Sequence, residues 1–194
     1  MNQHIAPPPG RLNAEQFLAF IEARPREERW QLIDGEPFMM MSPARRPHQR
    51  IAANLARLLD KAFEQHRPDL AALHELAIRV EAFPDFLAVA DVAVTDSEVD
   101  DIVYGTGFYL AAEVLSESNT HEFISRKRRL YAAAPTCLHV LIIAQTECAV
   151  EVWSRSDGWK GRVFRQEDDV IALAEFGFSC KVADLYRGTS VLRA

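Results

Sequence analysis

The sequence predicts an α/β domain with a central mixed β-sheet flanked by helices and extended by N- and C-terminal β-hairpins. Three observations carry this. Residues 86–94, 108–115 and 139–143 are apolar runs without polar alternation, as expected of strands covered on both faces. A helix ending before Pro135 separates the last two runs, which demands a crossover to a parallel neighbour. Elsewhere the runs are joined by turns, which pair strands antiparallel.

The elements follow in order. Residues 1–12, with Pro7, Pro8 and Pro9, are expected to be a flexible arm ahead of a single domain over 13–194. Asn13 can cap a helix over 14–22 whose one side carries Phe17, Leu18 and Ile21. Residues 30–41 read as a hairpin turning at Asp34-Gly35. After Ser42-Pro43 comes a helix over 47–65, with an apolar stripe of Ile51, Ala52, Leu55, Leu58, Leu59 and Ala62. His48 lies on that stripe, one turn ahead of Ile51. A strand over 72–80, a turn at 83–85, and an acidic loop over 96–107 at the rim of a cleft complete the first half. In the second half, His139 is expected to be structural, at the exposed end of its strand. A meander follows over 149–153 and 159–165, turning at Asp157-Gly158, with 170–173 and a final turn at 182–186 closing the domain.

With 194 residues and 48% hydrophobic content, the chain can bury one substantial core. No apolar stretch reaches membrane-spanning length and no signal-type start is present, so a cytoplasmic protein without membrane contact is expected. Cys137, Cys148 and Cys180 are widely spaced and odd in number, which suits reduced packing residues and not a zinc site. The formal net charge of −6 counts against a dedicated nucleic-acid binder. Local clusters, Arg45, Arg46 and Arg50 at one helix start and Arg126, Arg128 and Arg129 at another, run the other way. Taken alone, such clusters are better accounted for by a solvated face, but both flank the residues that carry the chemistry below.

The chemistry centres on residues 108–131. Glu113 interrupts one buried strand, and Lys127 falls on the inner face of the next helix with Phe123, Leu130, Tyr131 and Ala134. An acid and a lysine on buried faces are costly to desolvate unless they meet each other or another charge. A structural ion pair would satisfy both. Asp91 adds a third charge, inside another buried strand. If the two strands are neighbours, the carboxylates lie side by side and need a cation, for which a divalent metal with oxygen ligands serves. Two acids and a lysine then suit metal-assisted phosphodiester hydrolysis. Rival motifs are missing: there is no Gly-rich phosphate loop, G-x-S-x-G, C-x-x-C or H-E-x-x-H, and Ser116 near His121 lacks a third partner.

An Asp on one strand, a Glu on the next and a nearby Lys resemble the signature of the PD-(D/E)XK nuclease superfamily. The segments EVLSESNT and KRRLY, after LIDGEPFMMMSP and HQRIAANLARLL, are similar to its Uma-type branch of restriction-endonuclease-like proteins, from about Trp30 to Tyr186. The resemblance implies a restriction-endonuclease-like core and a DNA endonuclease using Mg²⁺ or Mn²⁺. Asp91 and Glu113 would be its metal carboxylates and Lys127 its catalytic lysine, moved to the helix because Leu115 occupies the E-x-K position. Ala90 stands where the superfamily has Pro, and Glu117 and Phe123 replace the Pro and Asp usual in the turn. Glu36 and His48 are possible further site residues, and Arg45, Arg46, Arg50 and Arg126 possible contacts to duplex DNA. A homodimer is expected, since sheet edges are commonly covered and duplex cleavage needs two sites. The alternative is an accessory module that keeps the nuclease fold without cleaving.

Overall fold

In the computed structural model, the described residues are 10–40, 45–98, 104–116 and 120–193. Helix α1 (Ala14–Glu22) begins with a reciprocal cap: Asn13 Oδ1 accepts the Gln16 N–H at 2.9 Å, and the Asn13 N–H donates to Gln16 Oε1 at 2.9 Å. Strands β1 (Trp30–Ile33) and β2 (Glu36–Met39) form the expected hairpin. Its turn residues Asp34 and Gly35 have φ of 50° and 75°, the mirror-image turn that matches strand twist. Of the expected arm, residues 1–9 lie outside the described residues. Leu12 is docked: it is buried, and its N–H donates to Gly35 C=O at 2.8 Å.

Helix α2 (Arg46–His66) leads to β3 (Leu70–Arg79) and β4 (Leu87–Asp96). Then come β5 (Leu110–Val114), α3 (His121–Ala133) and β6 (His139–Ile143), with β5 and β6 parallel as the crossover requires. Strands β7 (Val150–Ser154) and β8 (Gly161–Phe164) continue the sheet. Strands β9 (Val170–Leu173) and β10 (Phe178–Lys181) form a separate hairpin ahead of the short helix α4 (Val182–Leu185). The sequence reading missed β10. Of the expected rim at 96–107, residues 99–103 lie outside the described residues, as does Met41 at the end of the expected hairpin.

Among the described residues the main sheet has eight strands in the order β2-β1-β4-β5-β6-β7-β8, with β3 on β4 alone. Two apolar layers cover it. On one face α2 supplies Ile51, Leu55 and Leu59, packed with Val92, Val94, Leu110 and Ala112. On the other, α3 supplies Ile124 and Tyr131, packed with Ala88, Ala90, Ala93 and Ala111.

Two details of β4 position everything that follows. Leu87 pairs with both Arg79 of β3 and Leu32 of β1, while Val92 pairs with both His74 of β3 and Ala112 of β5. So β1 and β5 share one edge of β4, one near each end, and a notch opens between them. The pleat also changes face there. Ala88 and Ala90 face the α3 layer, yet the next even-numbered residues, Val92 and Val94, face the α2 layer. A regular strand with period two would keep one face. Strand β3 turns over with it: Leu70 and Ala72 pack with the α2 layer, Leu76 and Ile78 with the α3 layer. The residue at the reversal is Asp91 on β4, with Glu75 opposite at φ 49°.

One expectation is corrected here. His139 is not at an exposed strand end: it is 2% exposed, its Nδ1 2.9 Å from Ser154 Oγ and its Nε2 3.1 Å from Glu175 Oε2. The tail beyond the meander covers that end of β6, which a sequence window around the strand cannot reveal. Both ring nitrogens have side-chain partners, one of them the buried Ser154, an arrangement that suits a packing role.

Candidate active site

The notch on the edge of β4 holds the charged residues. Asp91 and Glu113 come next in register after the Val92–Ala112 pair, so they face each other where the β4–β5 ladder stops. Side chains replace the missing ladder bonds. The Val114 N–H donates to Asp91 Oδ2 at 2.7 Å, and Lys127 Nζ donates to Val89 C=O at 2.9 Å. Buried main-chain groups need partners, and here the site residues provide them.

Lys127 Nζ also lies 2.7 Å from Glu113 Oε1, and the hydroxyl of Tyr131 donates to the same oxygen at 2.8 Å. Lys127 and Tyr131 are four apart on α3 and therefore stack on one face. The amine sits 5.9 Å from the Phe123 ring centre and 5.7 Å from that of Tyr131, within cation–π range. From the opposite layer, His48 Nε2 at the start of α2 reaches Asp91 Oδ2 at 3.1 Å. The reversal of the pleat at Asp91 lets one site draw on both helix layers.

Burial shapes the electrostatics. Glu113 is pushed up to about 7, chiefly by burial and further by the Asp91 charge, against the opposing pull of Lys127 and the hydrogen bonds from Lys127 and Tyr131. For His48, burial opposes the charged form, but the Asp91 hydrogen bond and the charges of Asp91 and Glu113 outweigh it and raise its pKa. Tyr131 is held well above its usual value by burial and by Glu113, so it stays a hydroxyl donor.

The donor chemistry fits a small divalent cation. Hydrogen bonds from the described residues fall on Asp91 Oδ2 and Glu113 Oε1, leaving Oδ1 and Oε2 as acceptors for an ion. No group of three or more His, Cys, Asp or Glu among the described residues is placed to share one ion. Two carboxylates with water completing the shell suit Mg²⁺ or Mn²⁺, which keep several waters.

Other expected residues fall elsewhere. Arg126 Nε is 2.7 Å from Asp34 Oδ2, and its Nη1 is 3.5 Å from Glu36 Oε2. Those contacts clamp the β1–β2 hairpin onto α3, together with Phe38 and Phe123 at 5.0 Å between ring centres. Glu36 thus engages Arg126, with no described contact to Asp91 or Glu113. Arg45, Arg46 and Arg50 are exposed at the start of α2, beside His48. Leu115 is half-buried, and its N–H donates to Ile143 C=O at 2.7 Å. Glu117 lies outside the described residues. The sequence reading placed Tyr131 on the inner face of its helix but gave it no role; the K-x-x-x-Y spacing is the signal that could have singled it out.

Residues 14–183 match the family model Uma2, described as "Putative restriction endonuclease". Among solved structures the chain is similar to a "putative nuclease belonging to DUF820" from Anabaena variabilis ATCC 29413. That match has a TM-score of 0.73 at 16% identity and covers 90% of this chain and 97% of the other. At that identity the likeness is one of fold. No curated protein matches the chain.

Proposed function

From the chain's membership of the Uma2 family, established by a match over residues 14–183, we propose that this nuclease-like protein is a metal-dependent endonuclease hydrolysing phosphodiester bonds of DNA. The observation that carries the reading is the facing pair Asp91 and Glu113 with the Lys127 amine 2.7 Å from Glu113. Asp91 and Glu113 would hold Mg²⁺ or Mn²⁺, which supplies Lewis-acid stabilisation of charge developing on the phosphate. Lys127 offsets that negative charge and orients the attacking water. Tyr131 and the Val114 N–H keep the carboxylates aimed, and His48 holds Asp91 from the second layer. The exposed arginines Arg46 and Arg50 beside His48 would contact phosphates of the duplex, as would Arg45, while Arg126 braces the hairpin and could contribute only at its margin.

Cleavage of both strands needs two sites, so the protein would act as a homodimer; light scattering at tens of micromolar should give twice the chain mass. The direct test is nicking of plasmid DNA with Mn²⁺ by wild type and by Asp91→Asn, which keeps an acceptor for the Val114 N–H. Wild-type nicking that falls at least a hundredfold in the variant supports the proposal. Equal nicking by both, or none by wild type, sinks it and leaves a nuclease-fold accessory module that does not cleave.

A further inference from the structure

Asp91 and Glu113 share an arrangement that reaches past the identity of the ligands. Each carboxylate has one oxygen doubly occupied and the other without a hydrogen bond from the described residues. Asp91 Oδ2 takes the Val114 N–H at 2.7 Å and His48 Nε2 at 3.1 Å. Glu113 Oε1 takes Lys127 Nζ at 2.7 Å and the Tyr131 hydroxyl at 2.8 Å. The four donors come from β5, α2 and α3, so the pattern has no single local origin.

Of the two donors on Glu113, Tyr131 is the stiffer. It is fully buried, and its ring is wedged edge-on against Phe86 at 5.6 Å and Phe108 at 5.9 Å between centres. Lys127 reaches the same oxygen on a flexible four-carbon stem and also donates to Val89 C=O. An amine alone could follow either oxygen as the carboxylate rotates about its last torsion, which is broad and roughly two-fold. A phenol with a locked ring cannot follow.

We propose that Tyr131 is a positioning residue: by pinning Oε1 of Glu113 it leaves Oε2 for the cation, as the donors on Oδ2 of Asp91 leave its Oδ1. This rests on the metal-dependent reading above. Outer partners of metal ligands commonly govern affinity, and their loss costs about 10- to 100-fold.

The experiment uses Mn²⁺ alone on the full chain, titrated by electron paramagnetic resonance, with the Mn²⁺-induced rise in Tm as a second readout. Tyr131→Phe keeps the ring and its packing and removes only the donor. The expected result is Mn²⁺ binding weakened about 10- to 100-fold with a correspondingly smaller Tm rise. A merely structural tyrosine would lower Tm equally with and without Mn²⁺ and leave the affinity within about threefold, which overturns the proposal while the nuclease reading stands. Absence of Mn²⁺ binding by wild type would overturn both. Phe108→Leu, which loosens the ring without touching a carboxylate or a donor, provides a second folded variant. It should weaken Mn²⁺ binding by a smaller factor, and unchanged affinity there also counts against the assignment.

Discussion

Glu75 stands opposite Asp91 at the position where β3 and β4 turn over together, and it does so in the left-handed region at φ 49°. The reversal brings Asp91 to the boundary between the two helix layers, so the strained backbone on one strand supports the placement of the acid on its neighbour. Left-handed conformation costs a side-chain-bearing residue about 1–2 kcal/mol. The ion pair of Glu75 with Arg29 is exposed on both sides and adds little. Glu75→Gly should therefore remain within about 1 kcal/mol of wild type, the relief of strain offsetting the greater freedom of the unfolded chain. Glu75→Val should fall about 1–2 kcal/mol below the glycine variant and weaken Mn²⁺ binding. Urea melts and a metal titration on the three proteins check this; equal stability of Val and Gly variants would mean that the reversal does not depend on this φ.

Lys127 and Glu113 are both nearly inaccessible, so their pair behaves as a buried one. Lys127→Ala leaves a buried acid without its cation and should cost about 3–5 kcal/mol. Lys127→Met combined with Glu113→Leu should recover most of that loss, because a buried pair replaced by apolar residues is often neutral. Both variants should be inactive. Chemical denaturation separates the cases: a double variant as unstable as Lys127→Ala would show that the lost stability belongs to shape and not to charge.

The arginines at the start of α2 are expected to act through phosphate alone. Each substitution, Arg46→Gln or Arg50→Gln, should weaken DNA binding evenly across sequences and reduce the slope of log K against log salt by about 1. Fluorescence anisotropy at several salt concentrations reads this directly. A slope unchanged by both substitutions would place the DNA on another face.

His139 couples stability to acid. Burial lowers its pKa, and the partly opposing pull of Glu175 does not restore it. The unfolded chain then binds the proton more readily than the folded one. Its contribution is complete above the unfolded value of about 6.5 and is lost as pH falls through the lower folded value. His48 has the opposite sign, its raised pKa favouring the fold as pH falls, so the wild-type profile is a sum of two trends. Comparing urea midpoints of wild type and His139→Asn between about pH 7.5 and 5 isolates the first. The difference between them should shrink toward acid; a constant difference would show that His139 titrates alike in both states.

Much of the architecture was legible because periodicity and turn chemistry are local. The Asn13 cap, the Asp34-Gly35 turn, the three unalternating strands and the crossover before Pro135 each act over a few residues, and each appears where those residues demand. The candidate site was legible in part for the same reason. Asp91, Glu113 and Lys127 could be singled out because a charge within an apolar run or face is costly wherever the run folds. Between them, composition and spacing determined which residues could carry the chemistry. Tertiary structure alone decided how they meet. The Val89 carbonyl and the Val114 N–H are main-chain groups of a kind that every sequence has, and the notch between β1 and β5 exists only through the pairing of both strands with β4. The overturned pleat at Asp91 defies the period-two rule on which reading a strand depends. Glu36 and Arg126 took each other as partners, and His139 was covered by Glu175, 36 residues farther along the chain. Such pairings depend on which segments pack together, and packing is settled by the whole core and not by any window of the chain.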